Sequence, residues 1–550
     1  MNNQKIIKIN KFILEKNFDD AILFIENNFN NTEKTSKILN ILGVSKLKKK
    51  NSTNFDLISA IEDFRECYLK EKTTNQGIEG LMNFIVSSLK INKYDDSILY
   101  FKEAEAFFGY IPKLFNLIIG VFIKSNDVIS AIHCLEKIIK IDGPQNYSLQ
   151  KYIYLNSYIN KWSQKDFLHY TKKLEPVLPR LESTEIINFK KNKKIKLAFL
   201  SSDICGNHSV TYFLKALIQN VDRQKFVLVF YSNCKIEKED ESTREFKTYF
   251  DEWVNISSLN DILAINTIRK NNINIIIDLM GLTSTNRIAL FKNRLAKIQI
   301  LWLGYNNTSG LKNMDYLIAD PNLIHQDEVA HYSEKIIFLP GIWNCHSGFS
   351  ILRSNNPSPI IKNKYITFGS FNNVSKISDE VINVWSKILK NIKNSKLIIK
   401  SSINHSNKNL KEKFGKNEVL KQIIFLDKKK SFEEHIKEYN KIDLALDTFP
   451  YNGVTTSFEA IWMGVPVLTL KGFNPNSRAG VSINKNLDMK YMIANNEQEY
   501  ISKAINLSND HEKIISVRKN LFDKVKNSNL FNHKKFSKEF FEELKKIYFK

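Results

Sequence analysis

The sequence predicts an α/β fold: two consecutive doubly wound, Rossmann-like domains preceded by an all-α, tetratricopeptide-like repeat domain. Three observations predict it. Residues 1 to about 185 carry apolar side chains at three- and four-residue spacing and show no strand pattern. From Lys194 onward, short apolar β-rich runs alternate with helical ones. That alternation pauses at a polar stretch, Ser354–Lys364, which holds Pro357 and Pro359, and then restarts. A chain of 550 residues has room for three domains at about 100–200 residues each. The expected divisions are 1–185, 186–355 and 356–550.

In the first division, Asn92-Lys93-Tyr94-Asp95-Asp96-Ser97-Ile98 recurs as Asn126-Asp127-Val128-Ile129-Ser130-Ala131-Ile132, 34 residues later. That is the tetratricopeptide period. Asp19-Asp20-Ala21-Ile22 and Ile58-Ser59-Ala60-Ile61 are earlier relatives at less regular spacing. The small residue of each copy (Ala21, Ala60, Ser97, Ala131) is expected where paired helices approach.

In the second division the expected strands are Lys194–Ser202, Lys225–Ser232, Ile273–Leu279, Ile298–Leu303, Tyr316–Ala319 and Lys335–Leu339, with helices at Val210–Val221 and Leu259–Asn271. In the third they are Tyr365–Phe371, Lys396–Ser401, Gln422–Leu426, Leu444–Asp447 and Val465–Leu470, with a helix at Ser378–Ile392 and an amphipathic one at Ser537–Tyr548. Two such domains in series suggest the GT-B layout of nucleotide-sugar glycosyltransferases. Periodicity alone also allows a periplasmic-binding-protein or two-domain dehydrogenase layout. No G-x-G-x-x-G follows any of these strands and no P-loop string occurs, which disfavours dinucleotide and P-loop enzymes.

Composition narrows the partners. The net charge is +23, but almost all the excess is Lys, with only about ten Arg. Lys, Asn and Ile are raised together, as a bias toward A and T in the coding sequence would produce. Nucleic-acid surfaces favour Arg interleaved with aromatics, so nucleic acid is not an expected partner. The longest apolar runs fall far short of the ~20 residues that span a bilayer, and the N-terminus has no apolar signal core. The five cysteines (67, 134, 205, 234, 345) are scattered and form no CxxC pair. Neither a disulfide framework nor a cysteine zinc site is expected, and the expected setting is the cytoplasm.

Three segments carry chemistry. In Asp447-Thr448-Phe449-Pro450-Tyr451-Asn452-Gly453-Val454-Thr455-Thr456-Ser457-Phe458-Glu459, a strand ends in a tight turn and a helix begins with hydroxyl residues. Free N–H groups at a helix start make a phosphate site. Gly453 would let an anion approach, Thr455 and Thr456 would add donors, and Glu459 could accept from ribose hydroxyls. In Phe368-Gly369-Ser370-Phe371-Asn372-Asn373-Val374-Ser375-Lys376, a strand leads into a loop at the carboxyl edge of the second sheet, where such folds bind ligands. Lys376 there is a point charge suited to a diphosphate. In Ser201-Ser202-Asp203-Ile204-Cys205-Gly206-Asn207-His208-Ser209-Val210, His208 stands just before a helix, as a helix cap or a base. His435, before the Leu444–Asp447 strand, could touch a nucleotide base.

Together these segments resemble the protein O-GlcNAc transferase family, glycosyltransferase family 41, and within it the bacterial and SPINDLY-like branch. The matching strings are SSDICGNHSV, LWLGYNNTSG with LKNMDY, YSEKIIFLPG, FGSFNNVSKIS, LALDTFPYNGVTTSFEAIWMGVPVLTL and Ser477-Arg478-Ala479-Gly480, in order over residues 194 to 530. The resemblance implies a GT-B fold and inverting, metal-independent transfer of a sugar from a nucleotide donor to Ser or Thr of a protein. UDP-GlcNAc is the expected donor, and no separate cofactor is expected. It implies that Lys376 neutralises the leaving diphosphate and that His208 lies near the reacting centre. Asn373, His435, Gly453, Thr455, Thr456 and Glu459 would bind the donor nucleotide, and the helical repeats would present the acceptor protein. The chain departs from the family at Leu282, where many members have His, and at Val454, where the animal enzymes have His, and reads Asn373-Val374 and Asn306 where the family has other residues. Two alternatives follow: a protein O-fucosyltransferase using GDP-fucose, and a helical-repeat scaffold without catalysis.

Overall fold

A computed structural model describes residues 2–159, 161–181, 193–206, 208–349, 357–401, 404–427, 429 and 431–550. The expected divisions at 185/186 and 355/356 both fall outside these residues. The chain forms two compact units, Met1–Ile141 with Ile403–Leu410, and Asp142–Ser402 with Lys411–Lys550.

The first unit is built of helices from Asn2–Leu14 to Val128–Asp142. Ala21, Ala60, Ser97 and Ala131 all have 0% exposure, so the small residue of each repeat copy is where helices meet. The helix Asn54–Lys70 begins with a capping box. Thr53 accepts from the Asp56 N–H, and the Asp56 carboxylate accepts from the Thr53 N–H.

The second unit holds two parallel sheets. The first consists of β1 (Ile195–Ser201), β2 (Phe226–Ser232), β3 (Glu252–Asn255), β4 (Ile275–Asp278), β5 (Ile298–Leu301), β6 (Tyr316–Ala319) and β7 (Lys335–Phe338). Its spatial order is β3-β2-β1-β4-β5-β6-β7. The second consists of β8 (Thr367–Ser370), β9 (Lys396–Lys400), β10 (Ile423–Leu426), β11 (Leu444–Leu446), β12 (Val467–Leu470) and β13 (Ile493–Ala494), in the order β10-β9-β8-β11-β12-β13. The strand order reverses between β1 and β4 in one sheet and between β8 and β11 in the other. At such switch points adjacent connections leave toward opposite faces and open a crevice at the carboxyl edge.

Every strand read from the sequence is present. The two it missed, β3 and β13, are edge strands of four and two residues. The residues of β3 are half-buried throughout, so no apolar run marks it.

Two further differences have physical causes. Cys205 and Cys234 are disulfide-bonded, against the expectation of no disulfide framework. They lie 29 residues apart, the length of one strand–helix–strand unit. β1 and β2 pair in register with Ser201 opposite Ser232, so both cysteines emerge at the same sheet edge. The described part of the expected linker contains a short helix, Pro359–Asn363, with Pro at its first position. Ser358 and the Ile360 N–H both donate to the buried Asp443 carboxylate, which fastens this segment to the second sheet.

The last helix, His533–Phe549, returns to the first sheet. Phe541 packs on Phe226 at 4.8 Å, Phe540 packs on Trp302 at 4.8 Å, and the Ser537 hydroxyl donates to the Ala216 and Leu217 carbonyls.

Candidate functional site

The carboxyl edges of both sheets line one cleft of about 490 Å³. From the first sheet come Asp203 and His208 after β1, Thr283, Ser284 and Thr285 after β4, and Leu303, Gly304 and Asn306 after β5. From the second come Asn372, Asn373 and Lys376 after β8, and Tyr451, Val454, Thr455 and Thr456 after β11.

Backbone geometry on the first wall is tight. Leu303 has φ +82°, and a Cβ on Gly304 would lie 2.1 Å from the Leu279 carbonyl oxygen, so the β5 loop closes onto the β4 loop only with glycine there. His208 is the N-cap of the helix Ser209–Ile218, and its Nδ1 accepts the Val210 N–H at 3.4 Å. A neutral ring used this way carries its proton on Nε2 and offers a donor. Asp203 accepts from the Ser202 hydroxyl at 3.0 Å and is the one carboxylate among the described residues that line the cleft.

On the second wall the organiser is Asp447, 1% exposed. Its carboxylate accepts from the N–H groups of Thr448 (2.9 Å) and Gly453 (2.8 Å) and from the Thr469 hydroxyl (2.8 Å). These bonds curl the chain so that the helix Thr455–Trp462 starts at the cleft. Of the first N–H groups of that helix, those of Ser457 and Phe458 bond the Val454 carbonyl at 3.0 Å, and those of Thr455 and Thr456 are left for an anion. The Thr456 hydroxyl donates to the Asn372 side chain at 2.7 Å, which joins the β8 and β11 loops.

Lys376 closes the site. Its ammonium donates to the Asn452 carbonyl at 2.8 Å and lies 4.1 Å from the centroid of the Tyr451 ring. Burial pushes this ammonium below the usual lysine range, and the Asp447 charge works the other way. Burial raises the Asp447 carboxyl, while its hydrogen bonds and Lys376 pull it back.

The sequence-derived residues divide into three groups. His208, Asn373, Lys376, Thr455 and Thr456 come together on the cleft wall. His435 and Glu459 form a pair of their own outside that lining: His435 Nε2 is 3.0 Å from a Glu459 oxygen that also accepts from the Tyr439 hydroxyl at 2.8 Å. Lys400 meets His435 Nδ1, and a lysine can only donate there, so the imidazole N–H points at Glu459. Gly453 does not line the cleft. Its N–H is held by Asp447, and a Cβ on it would meet Asn372 and Thr456 oxygens at 2.5 Å, so glycine here admits side chains of the fold. Of the two family histidine positions, Leu282 is a 4%-exposed core residue and Val454 presents methyl groups to the cleft.

Sequence reasoning gave no role to Asp447, Asn372, Tyr451 or Asp203, nor to Tyr154 and Tyr158, which also line the cleft. The first four lay inside the quoted motifs. The tyrosines lie in the helical segment, where nothing local marks them. Among the described residues, no group of three or more His, Cys, Asp or Glu is placed to hold a metal ion, and no helix is long and apolar enough to cross a membrane.

Two parallel sheets facing one cleft across their switch points, with a helix start and a lysine inside it, define a GT-B architecture. The chain belongs to glycosyl transferase family 41, whose family model matches residues 181–354 and 350–540. It is 28% identical over 420 residues to a Solanum lycopersicum protein described as a probable UDP-N-acetylglucosamine–peptide N-acetylglucosaminyltransferase SPINDLY, covering 73% of this chain and 44% of the relative. The Arabidopsis thaliana SPINDLY protein is 30% identical over 359 residues, covering 63% and 38%. The chain therefore spans less than half the length of these curated relatives. Among solved structures, a mutant of the Thermobaculum terrenum O-GlcNAc transferase superposes with a TM-score of 0.78 at 22% identity, covering 94% of this chain and 98% of that one, which shows the shared fold.

Proposed function

We propose that the chain is a glycosyltransferase that moves a sugar from a nucleoside-diphosphate donor to Ser or Thr hydroxyls of proteins, with inversion and without a metal. One observation carries the reading. A half-buried ammonium, two threonine hydroxyls and the N–H groups of Thr455 and Thr456 at a helix start converge on one cleft wall, a set of donors that fits a diphosphate.

In this reading the acceptor hydroxyl attacks the anomeric carbon in line, the carbon–oxygen bond to the diphosphate breaks, and the diphosphate takes the electron pair. Lys376, Thr455, Thr456 and the helix start hold its oxygens. His208 donates from Nε2 to a substrate oxygen, and Asp203 receives the acceptor proton. Asn373 contacts the donor, Glu459 takes the ribose hydroxyls, His435 orients Glu459 and meets the base, and Gly453 shapes the turn.

The donor proposed is UDP-GlcNAc, the substrate printed in the names of the curated relatives. The division into 1–185, 186–355 and 356–550, and acceptor presentation by the repeats, belong to the same proposal. So does a cytoplasmic setting, in which the Cys205–Cys234 bond would be reduced to two thiols. The test is incubation with radiolabelled UDP-GlcNAc or GDP-fucose and a set of Ser/Thr-containing peptides. Label passing from UDP-GlcNAc to peptide in wild type and not in Lys376→Ala is the expected result. Transfer from GDP-fucose alone moves the donor, and transfer from neither removes the proposal.

A further inference from the structure

The helix Asn146–Asn156 and the turn after it bring two tyrosines to the cleft wall from upstream of the family-model match, which begins at residue 181. The Tyr158 ring is stacked on Tyr451, with centroids 5.0 Å apart and planes 17° from parallel. Tyr451 is the ring that carries the Lys376 ammonium. The Tyr154 and Tyr158 hydroxyls are 3.2 Å apart, and Tyr154 is also hydrogen-bonded to Tyr451. Tyr158 is 7% exposed, so its own ring is held by its surroundings, while Tyr451 is half-buried at the cleft.

We infer that Tyr158 is a positioning residue for Lys376: its ring fixes Tyr451, and the fixed face of Tyr451 holds the ammonium where a diphosphate would bind. The inference rests on the reading of Lys376 given above. A ring face attracts a cation through its quadrupole, and the attraction depends on the angle between ring and cation. Tyr451 follows a turn and has no strand or helix to hold its χ angles. Stacking on Tyr158 supplies that restraint. A helical segment upstream of the first sheet thus completes the donor site.

Other charged or titratable groups face Lys376. They are Asp447 after β11, Asp203 and His208 after β1, and Tyr154 from the helix Asn146–Asn156. Of these only Tyr154 touches Tyr158, and Tyr158→Phe and Tyr158→Ala both remove that hydroxyl contact, so the difference between the two variants in how UDP binding depends on pH reports the stack.

The test is calorimetric titration of the full chain with UDP between pH 6.5 and 9.5, for wild type, Tyr158→Phe, Tyr158→Ala and Lys376→Ala. Wild-type affinity should fall as pH rises through about 8, where the half-buried ammonium loses its proton. Tyr158→Ala should bind about fivefold more weakly at neutral pH, with the midpoint of the fall displaced from that of wild type. Tyr158→Phe keeps the ring and should restore both. A merely structural loss would lower the number of sites and leave the midpoint in place, and that outcome overturns the inference. So does a Tyr158→Ala curve that matches wild type while Lys376→Ala has lost its pH dependence. A Lys376→Ala curve identical to wild type instead removes the diphosphate reading itself. If Tyr158→Ala does not fold, Tyr158→Leu fills the volume without a ring and is judged in the same way.

Discussion

At the scale of the residue, the site depends on a few buried polar groups whose partners are fully specified. Lys376 touches the Asn452 carbonyl and the Tyr451 ring and faces Asp447 through space, so it is held in place before any ligand arrives. Such preorganised charge stabilises a leaving group without reorganisation. Lys376→Ala should reduce kcat by about 10²–10³, roughly 2.7–4 kcal/mol of transition-state stabilisation, with an unchanged melting temperature. Steady-state kinetics beside a thermal melt checks this, and a wild-type rate would falsify the assignment. Asp203→Asn should lower kcat by about 10²-fold or more and leave UDP affinity unchanged, because the amide cannot take up a proton. Comparing kcat with a UDP titration separates the two effects. Glu459→Ala should destabilise the fold by about 1–3 kcal/mol, since the Tyr439 hydroxyl and the His435 N–H lose a common buried acceptor. Chemical denaturation measures that.

At the scale of the element, most of the site was legible because its motifs sit where strands end. The turn after β11 and the loop after β8 were readable as anion-binding from hydroxyls, Asn-Gly and a lysine at a carboxyl edge. The destination of each polar atom was not readable. Gly453 suits an approaching anion by composition, yet its N–H belongs to Asp447 and its open side to Asn372 and Thr456. Glu459 and His435 are 24 residues apart in sequence and meet only because two helices pack together. The disulfide was missed for a related reason: spacing in sequence says little until strand order sets which loops share an edge. The β5 loop gives a sharp test. Gly304→Ala puts a methyl 2.1 Å from a backbone carbonyl that cannot move without disturbing β4. A loss of about 1–3 kcal/mol is expected. An unchanged denaturation midpoint would contradict the described turn.

At the scale of the whole molecule, the second unit is clasped at more than one place. Arg478, 3% exposed in the second-sheet domain, forms a two-pronged pair with Glu328 from the first-sheet domain. Ser482 donates to the buried Asp320 at 2.6 Å in the same region. The sequence flagged Arg478 through a family string but gave no partner, because the partner lies 150 residues earlier. Arg478→Ala should destabilise the unit by about 3–5 kcal/mol, and Arg478→Ala with Glu328→Ala by less than the two single losses summed, since an uncompensated buried charge is the larger cost. A double-mutant cycle by thermal melt reads this. The return of the last helix to the first sheet could not be foreseen either, because amphipathic pattern names a buried face but not its partner.

The cleft is proposed to be a nucleoside-diphosphate-sugar site built around Lys376. Calorimetric titration of the full chain without added metal, against UDP, UDP-GlcNAc, GDP and GDP-fucose, tests it most directly. Selective binding of UDP and UDP-GlcNAc that Lys376→Ala weakens by tenfold or more is the expected result. Absence of binding by all four at millimolar concentration, or binding that Lys376→Ala leaves unchanged, would contradict it.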